Sequence, residues 1–191
     1  MFYWFARGLF RFLFAVFCRW EIEGLENLPE RGPVIVVANH VSYWDPIAVG
    51  SALPRHVFFM AKKELFSYPV LGHILRWLGA FPVNRGRPDR AALKRAFTLL
   101  KDGEVLGIFP EGTRSKTGEM LTPYNGAAYL ALQAGVPVCP VGLIGTKKIF
   151  YRGLFRKFKV RVGAPILFEK TGKEGLLTAA ELMMERIKEL S

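Results

Sequence analysis

"PVIVVANHVSYWDPIAVGSAL", residues 33–53, holds a strand, a tight turn and the start of a helix. Val34 to Val37 are β-branched and apolar at every position, which is how a strand buried on both faces reads. The run stops at Asn39 and His40. Beyond the turn, Asp45 is placed to act as an N-cap, and Pro46 suits the first helical position, where an N–H has no partner in any case. A strand apolar on both faces and followed by a helix belongs in a parallel sheet covered on both sides.

The same alternation continues along the chain. "EIEGLENLPERG" (21–32) is polar and ends in turn formers. "HVFFMA" (56–61) reads as a second strand, "PVLGHILRWLGA" (69–80) as an apolar helix and "FPVNR" (81–85) as a third strand. "PDRAALKRAFTLLKDG" (88–103) is an amphipathic helix closed by Asp102 and Gly103. "EVLGIFPEG" and "VPVCPVGLIG" read as strands on either side of the small-residue helix "NGAAYLALQAG". "KFKVRVGAPI" adds a late strand, and "EGLLTAAELMMERIKEL" a C-terminal amphipathic helix. The expectation is an α/β domain over residues 21–191 with a mostly parallel central sheet flanked by helices.

Composition narrows the partners. The 191 residues carry 27 Lys and Arg against 16 Asp and Glu, a formal net charge of +11. Such a balance calls for a polyanion: nucleic acid, an anionic membrane or a phosphorylated substrate. Sixteen phenylalanines beside many arginines fit a membrane interface better than nucleic acid, and no RNA-recognition signature is found. Cys18 and Cys139 stand far apart, without metal spacing, so neither a disulfide framework nor a metal site is indicated.

Residues 1–20, "MFYWFARGLFRFLFAVFCRW", form the most apolar window. No cleavage motif follows it, and the arginines interrupt it before the ~20 apolar residues that a membrane span requires. At ~100° per residue, Arg7, Arg11 and Arg19 gather in one third of the wheel. That predicts an interfacial membrane helix with its apolar face in the acyl boundary and its arginines at the headgroups. A terminal helix packed on the domain is the alternative. Removing residues 1–20 is expected to release the protein from membranes.

Four polar clusters stand at the C-terminal ends of predicted strands, where open α/β sheets place their sites. In "NHVSYWD", His40 and Asp45 fit a general base and its orienting carboxylate, or a turn residue and a helix cap. In "FPEGTRS" (109–115), a glycine and hydroxyl residues follow a strand, and Arg114 offers a planar fork for phosphate. Glu111 beside Arg114 reads equally as a surface ion pair. "FPVNRGR" carries Arg85 and Arg87, and "MAKKELF" carries Lys62 and Lys63. With no serine elbow and no nucleotide fingerprint, the base would act on a hydroxyl of the substrate.

In these blocks the chain resembles the 1-acylglycerol-3-phosphate acyltransferase (lysophosphatidic acid acyltransferase) family of the glycerophospholipid acyltransferase superfamily. His40 and Asp45 match its H-x4-D motif, and "FPVNRGR", "FPEGTRS" and "VPVCPVGL" match its later blocks in order. The resemblance implies a glycerol-3-phosphate acyltransferase-like fold. It also implies acyl transfer from acyl-CoA or acyl carrier protein to the sn-2 hydroxyl of lysophosphatidic acid, giving phosphatidic acid. His40 is then the general base and Asp45 its partner. Glu111, Gly112, Thr113 and Arg114 would shape the acceptor site, with Arg85 and Lys62 as further phosphate ligands. No cofactor is implied, and the enzyme would sit at the cytoplasmic face of an anionic membrane. "PYNGAA" (123–128) departs from the lysine-containing segment common in the family, which leaves other lysolipid acceptors open.

Overall fold

The computed structural model describes residues 1–86, 88–152, 154–169 and 173–191. Its strands are β1 (Glu21–Glu23), β2 (Val34–Ala38), β3 (Val57–Lys62), β4 (Phe81–Val83), β5 (Val105–Ile108), β6 (Val138–Ile144), β7 (Phe150–Tyr151), β8 (Leu154–Phe155) and β9 (Lys159–Val162). Its helices are α1 (Phe2–Leu13), α2 (Asp45–Ala52), α3 (Pro69–Trp77), α4 (Arg90–Lys101), α5 (Gly126–Ala134) and α6 (Lys173–Leu190). Seven strands pair in the order β1-β9-β6-β2-β5-β3-β4, while β7 and β8 form a separate hairpin.

β2 lies at the centre, parallel to β5 on one side and β6 on the other. Its alternate residues go to opposite cores. Ile35 and Val37 pack with α4, α5 and α6, whereas Val34, Val36 and Ala38 pack with α2 and the N-terminal segment. Burial on both faces is why the strand reads as an unbroken apolar run. Because β2 to β6 are mutually parallel, the residues after β2, β3, β4 and β5 emerge along one edge. β9 runs antiparallel to β6, and β1, parallel to β9, shares that reversed direction within a mostly parallel sheet.

β1 corrects the reading of "EIE" as part of a polar connection. It pairs in parallel with β9, placing Glu21 opposite Lys159 and Glu23 opposite Arg161. Lys159 Nζ lies 2.6 Å from Glu21 and Arg161 Nε 2.8 Å from Glu23. Between them Ile22 packs against the core beneath β9. Complementary charges let a polar triplet close the sheet edge.

The N-terminal segment differs from its expected orientation. α1 runs into a π-helical turn over Phe14–Cys18 and ends at Arg19 in the left-handed region, φ 44°. Arg7 and Arg11 turn inward. Arg7 Nε donates to the carbonyl of Leu53 at 2.8 Å, and Arg11 Nη1 donates to those of Ser51 and Ala52 at 3.0 and 3.2 Å. These carbonyls end α2, where a helix leaves acceptors unsatisfied and carries partial negative charge. Arg19 leaves the helix and does not share that face. Tyr3, Phe14 and Cys18 are buried, and the opposite face is bare: Phe5 is 69% exposed and Phe12 63%. The helix is therefore both packed on the domain and apolar outward. Among the described residues no helix is long and apolar enough to cross a membrane.

α4 begins at Asp89, which caps it. The Asp89 carboxylate accepts from the backbone N–H groups of Ala91 and Ala92, and its other oxygen accepts from Asn84 at the end of β4. These donors hold its carboxyl down to about 2, below the usual 3.8. Asp89→Ala is expected to cost about 0.5–2 kcal/mol in thermal or urea unfolding. Because the folded pKa is depressed, the stabilisation is complete above pH 4 and fades as pH falls towards 2. The difference between variant and parent should shrink over that window.

Candidate active site

At the end of β2, His40 and Asp45 meet. His40 Nδ1 lies 2.8 Å from Asp45 Oδ2, and the two side chains are 9% and 0% exposed. The same oxygen accepts the backbone N–H groups of Val41 and Ser42, both at 2.7 Å. A carboxylate oxygen with only donors around it fixes the proton on Nδ1 and leaves the Nε2 lone pair for another group. Asp45 does not cap α2, since no side-chain bond reaches that helix's first amides. Its carboxylate turns back to close the turn that carries His40.

The third block is stitched to the first. The His40 N–H donates to Glu111 Oε1 at 2.7 Å, and the His40 carbonyl accepts from the Ser115 N–H at 2.8 Å. The other Glu111 oxygen accepts the Leu121 N–H at 3.0 Å. Glu111 is 2% exposed. It is no surface ion pair with Arg114 but a buried carboxylate shared by two backbone segments. The Gly112 N–H closes the turn on the carbonyl of Phe109, and Gly112 takes a positive φ of 64°. Thr113 is exposed, and Arg114 lies with its guanidinium carbon 3.3 Å from the Tyr43 ring centroid.

Two rings hold the imidazole from one side. His40 stacks on Phe109 at 4.1 Å between centroids, and Phe109 stacks on Phe59 at 5.7 Å. Phe59 lies over β5 at Gly107, where an added Cβ would stand 2.4 Å from its ring. Asn39 fastens the other flank. Its side-chain amide donates to the Leu143 carbonyl at 2.9 Å and accepts the Leu143 N–H at 2.8 Å. These supports escape a reading by motif, because glycine in a strand and asparagine after one carry no chemistry of their own. The signals that point to them are "LGIFP", with a glycine mid-strand, and a polar residue ending an apolar run.

The basic residues converge less tightly. Lys62 ends β3 on the surface, 3.3 Å from Glu64. Arg85 follows β4 next to it. Partial desolvation lowers the Arg85 pKa below the usual guanidinium value; Glu64 opposes this, and the nearby charge of Arg114 adds to it. Arg85 follows β4 and Arg114 follows β5, so both stand at the C-terminal edge of the sheet. Lys63 begins the next turn and is exposed. Arg87 lies outside the described residues.

Beside this edge opens an apolar cavity of about 560 Å³. Met60, Leu93, Ile108, Phe109 and Leu130 line it, with Arg85 and Gly112 at its polar part. Tyr124, in the segment that departs from the family pattern, packs across Gly112 and joins the same wall.

Comparison with known proteins gives this arrangement a lineage. Residues 19–144 match the family model described as Acyltransferase. The chain belongs to the acyltransferase family. Among acyltransferases it is 35% identical, over 89% of its length and 87% of the relative's, to the 1-acyl-sn-glycerol-3-phosphate acyltransferase of Bacillus subtilis. With the enzyme of that name from Streptococcus pneumoniae it shares 32% identity over its full length and 73% of the relative's. The crystal structure of the 1-acyl-sn-glycerophosphate (LPA) acyltransferase PlsC from Thermotoga maritima superposes with a TM-score of 0.74 at 29% identity, covering 100% of this chain and 78% of that one. The matched segment spans all the polar clusters at the sheet edge.

If the ring column orients the acyltransferase imidazole, Gly107→Ala should disturb it from a distance. Pushing the Phe59 ring aside is expected to destabilise the fold by about 1–3 kcal/mol. It should also lower kcat more than it raises KM, measured by steady-state acyl transfer. An unchanged kcat in a folded variant would separate the column from catalysis.

Proposed function

We propose that the protein transfers a fatty acyl group to the sn-2 hydroxyl of 1-acylglycerol 3-phosphate, forming phosphatidic acid, with acyl-CoA or acyl carrier protein as donor. One observation carries this reading: a buried His40–Asp45 pair, held through Nδ1 so that Nε2 is the free ring nitrogen, at the sheet edge that also carries Arg85 and Arg114. Among the described residues no serine or cysteine hydrogen-bonds the imidazole, so the attacking oxygen belongs to the acceptor.

In this reaction His40 Nε2 takes the proton of the acceptor hydroxyl as its oxygen attacks the thioester carbonyl carbon. Asp45 stabilises the imidazolium formed. The tetrahedral intermediate collapses with cleavage of the C–S bond, and the proton passes from His40 to the departing thiolate. The acceptor phosphate lies between Arg114 and Arg85, with Lys62 as a further contact and Gly112 and Thr113 shaping the turn. Glu111 acts by holding that turn to His40. The apolar cavity takes a fatty acyl chain, because its wall offers few polar groups for anything else.

The domain works at the cytoplasmic face of a membrane, with residues 1–20 lying on the bilayer. The bare Phe and Leu face of α1 supports this placement, its arginines serving the protein rather than the headgroups. Phe10 and Phe14 touch Trp44 in the H-x4-D turn, at 6.5 and 6.2 Å between ring centroids. The site thus adjoins the segment that meets the lipid, from which the lysolipid acceptor comes.

His40→Ala is expected to reduce turnover by about 10²–10⁴-fold while the circular dichroism spectrum is retained. Near-parental turnover on a panel of lysolipids would remove His40 from the reaction. Arg114→Lys should raise the KM for lysophosphatidic acid with a smaller effect on kcat, since lysine lacks the planar fork. Equal loss with a lysolipid lacking phosphate would place Arg114 elsewhere.

A further inference from the structure

A second apolar element stands on the same side of the molecule as α1. The β7–β8 hairpin leaves the C-terminal end of β6, the sheet edge at which His40 lies. It exposes Phe150 (55%), Leu154 (57%) and Phe155 (46%). Phe150 and Phe155 face each other across the hairpin, with ring centroids 5.2 Å apart. Phe155 then meets Phe17, itself half exposed, at 5.3 Å. The ring contact joins the hairpin to the bare face of the N-terminal helical segment. Together they make one contiguous apolar surface, larger than single scattered hydrophobic residues would give.

The charge around this surface is one-sided. Between Glu119 and Glu169 the chain has no acidic residue, and Lys147, Lys148, Arg152, Arg156 and Lys157 flank the hairpin's apolar side chains. Part of this charge is engaged by the protein itself, as where Lys157 pairs with Glu21 and Lys147 donates to the carbonyl of Lys116. Apolar tips ringed by lysine and arginine match the boundary between acyl chains and anionic headgroups. An exposed aliphatic Leu154 serves a lipid better than a nucleic acid, which would ask for stacking rings and hydrogen-bond donors.

We propose that the β7–β8 hairpin is a second membrane-docking element, inserting Phe150, Leu154 and Phe155 into the headgroup–acyl boundary of an anionic bilayer beside α1. This rests on the reading that the N-terminal helix lies on the membrane. The axis of α1 and a hairpin off that axis, at the catalytic edge, together define a plane. A single amphipathic helix leaves the domain free to roll about its axis. The hairpin removes that freedom and turns the mouth of the site towards the lipid.

The test places an environment-sensitive NBD label on Leu154→Cys in the full chain. Cys18 and Cys139 are buried, and burial pushes the Cys139 thiol up to about 12, so neither competes for the label. On phosphatidylglycerol vesicles the emission should shift to the blue and be quenched by nitroxide-bearing lipids. The same label on Lys101→Cys, at the end of α4 on the opposite face of the sheet, should not respond. The triple variant Phe150→Ser, Leu154→Ser, Phe155→Ser should bind these vesicles about tenfold more weakly or worse, as lost apolar insertion requires. Its turnover in detergent micelles should stay at the parental level.

If the parent sediments with vesicles while label 154 stays unshifted and the triple variant binds as tightly, the hairpin proposal fails and α1 alone carries attachment. If the parent does not sediment, both readings fail together. Tight binding of an oligonucleotide that displaces the protein from vesicles, and is lost in the triple variant, would assign the surface to nucleic acid and also overturn the proposal.

Discussion

One buried carboxylate, that of Glu111, holds the catalytic edge together. Its two oxygens accept the backbone N–H of His40 and that of Leu121, residues far apart in the chain. The first ties the turn after β2 to the turn after β5. The second draws in the segment that leads to α5. A buried anion with both oxygens occupied by amides is satisfied only when all three segments are in register. Losing the carboxylate would leave two amides without acceptors and free the loops that carry the imidazole and Arg114. The parallel sheet brings these turns to one edge, and Glu111 converts nearness into fixed geometry.

Much of this is legible in the amino-acid sequence. β2 can be read because burial on both faces leaves an unbroken apolar run, and α4 because Asp89, the amphipathic pattern and Gly103 mark its start and stop. His40 and Asp45 can be paired because a short turn after a strand brings residues five apart together. What stays hidden depends on partners remote in sequence. Glu21-Ile22-Glu23 looks like a turn until Lys159 and Arg161 stand opposite. A helical wheel puts Arg7 and Arg11 on one face, but which face meets protein is decided by the carbonyls that end α2. Asp45 suits a cap equally well by its position, and only the fold shows its oxygen accepting from residues behind it.

The site's supports divide into two kinds. Hydrogen bonds fix where His40 sits: Asp45 through Nδ1, and Glu111 and Ser115 through the backbone. Rings fix how its plane is turned, through Phe109 and then Phe59 over Gly107. Asn39 prolongs the β2–β6 pairing with a side chain once the backbone of β2 has turned away. The base proposed at His40, which has to meet a mobile lipid hydroxyl, profits from this rigidity, because only one partner then has to be brought into line.

The inward turn of Arg7 and Arg11 has a consequence for handling the protein. α2 has Asp45 at one end and the two guanidiniums at the other, so the catalytic turn and the N-terminal segment share a single rigid strut. Cutting away residues 1–20 would strip the donors from the last carbonyls of α2 and uncover the aromatic packing around Phe158. The segment is no detachable leash but a wall of the domain. Under the proposed membrane attachment, a lipid-free form is better sought by making the outer face of α1 polar, residue by residue, than by shortening the chain.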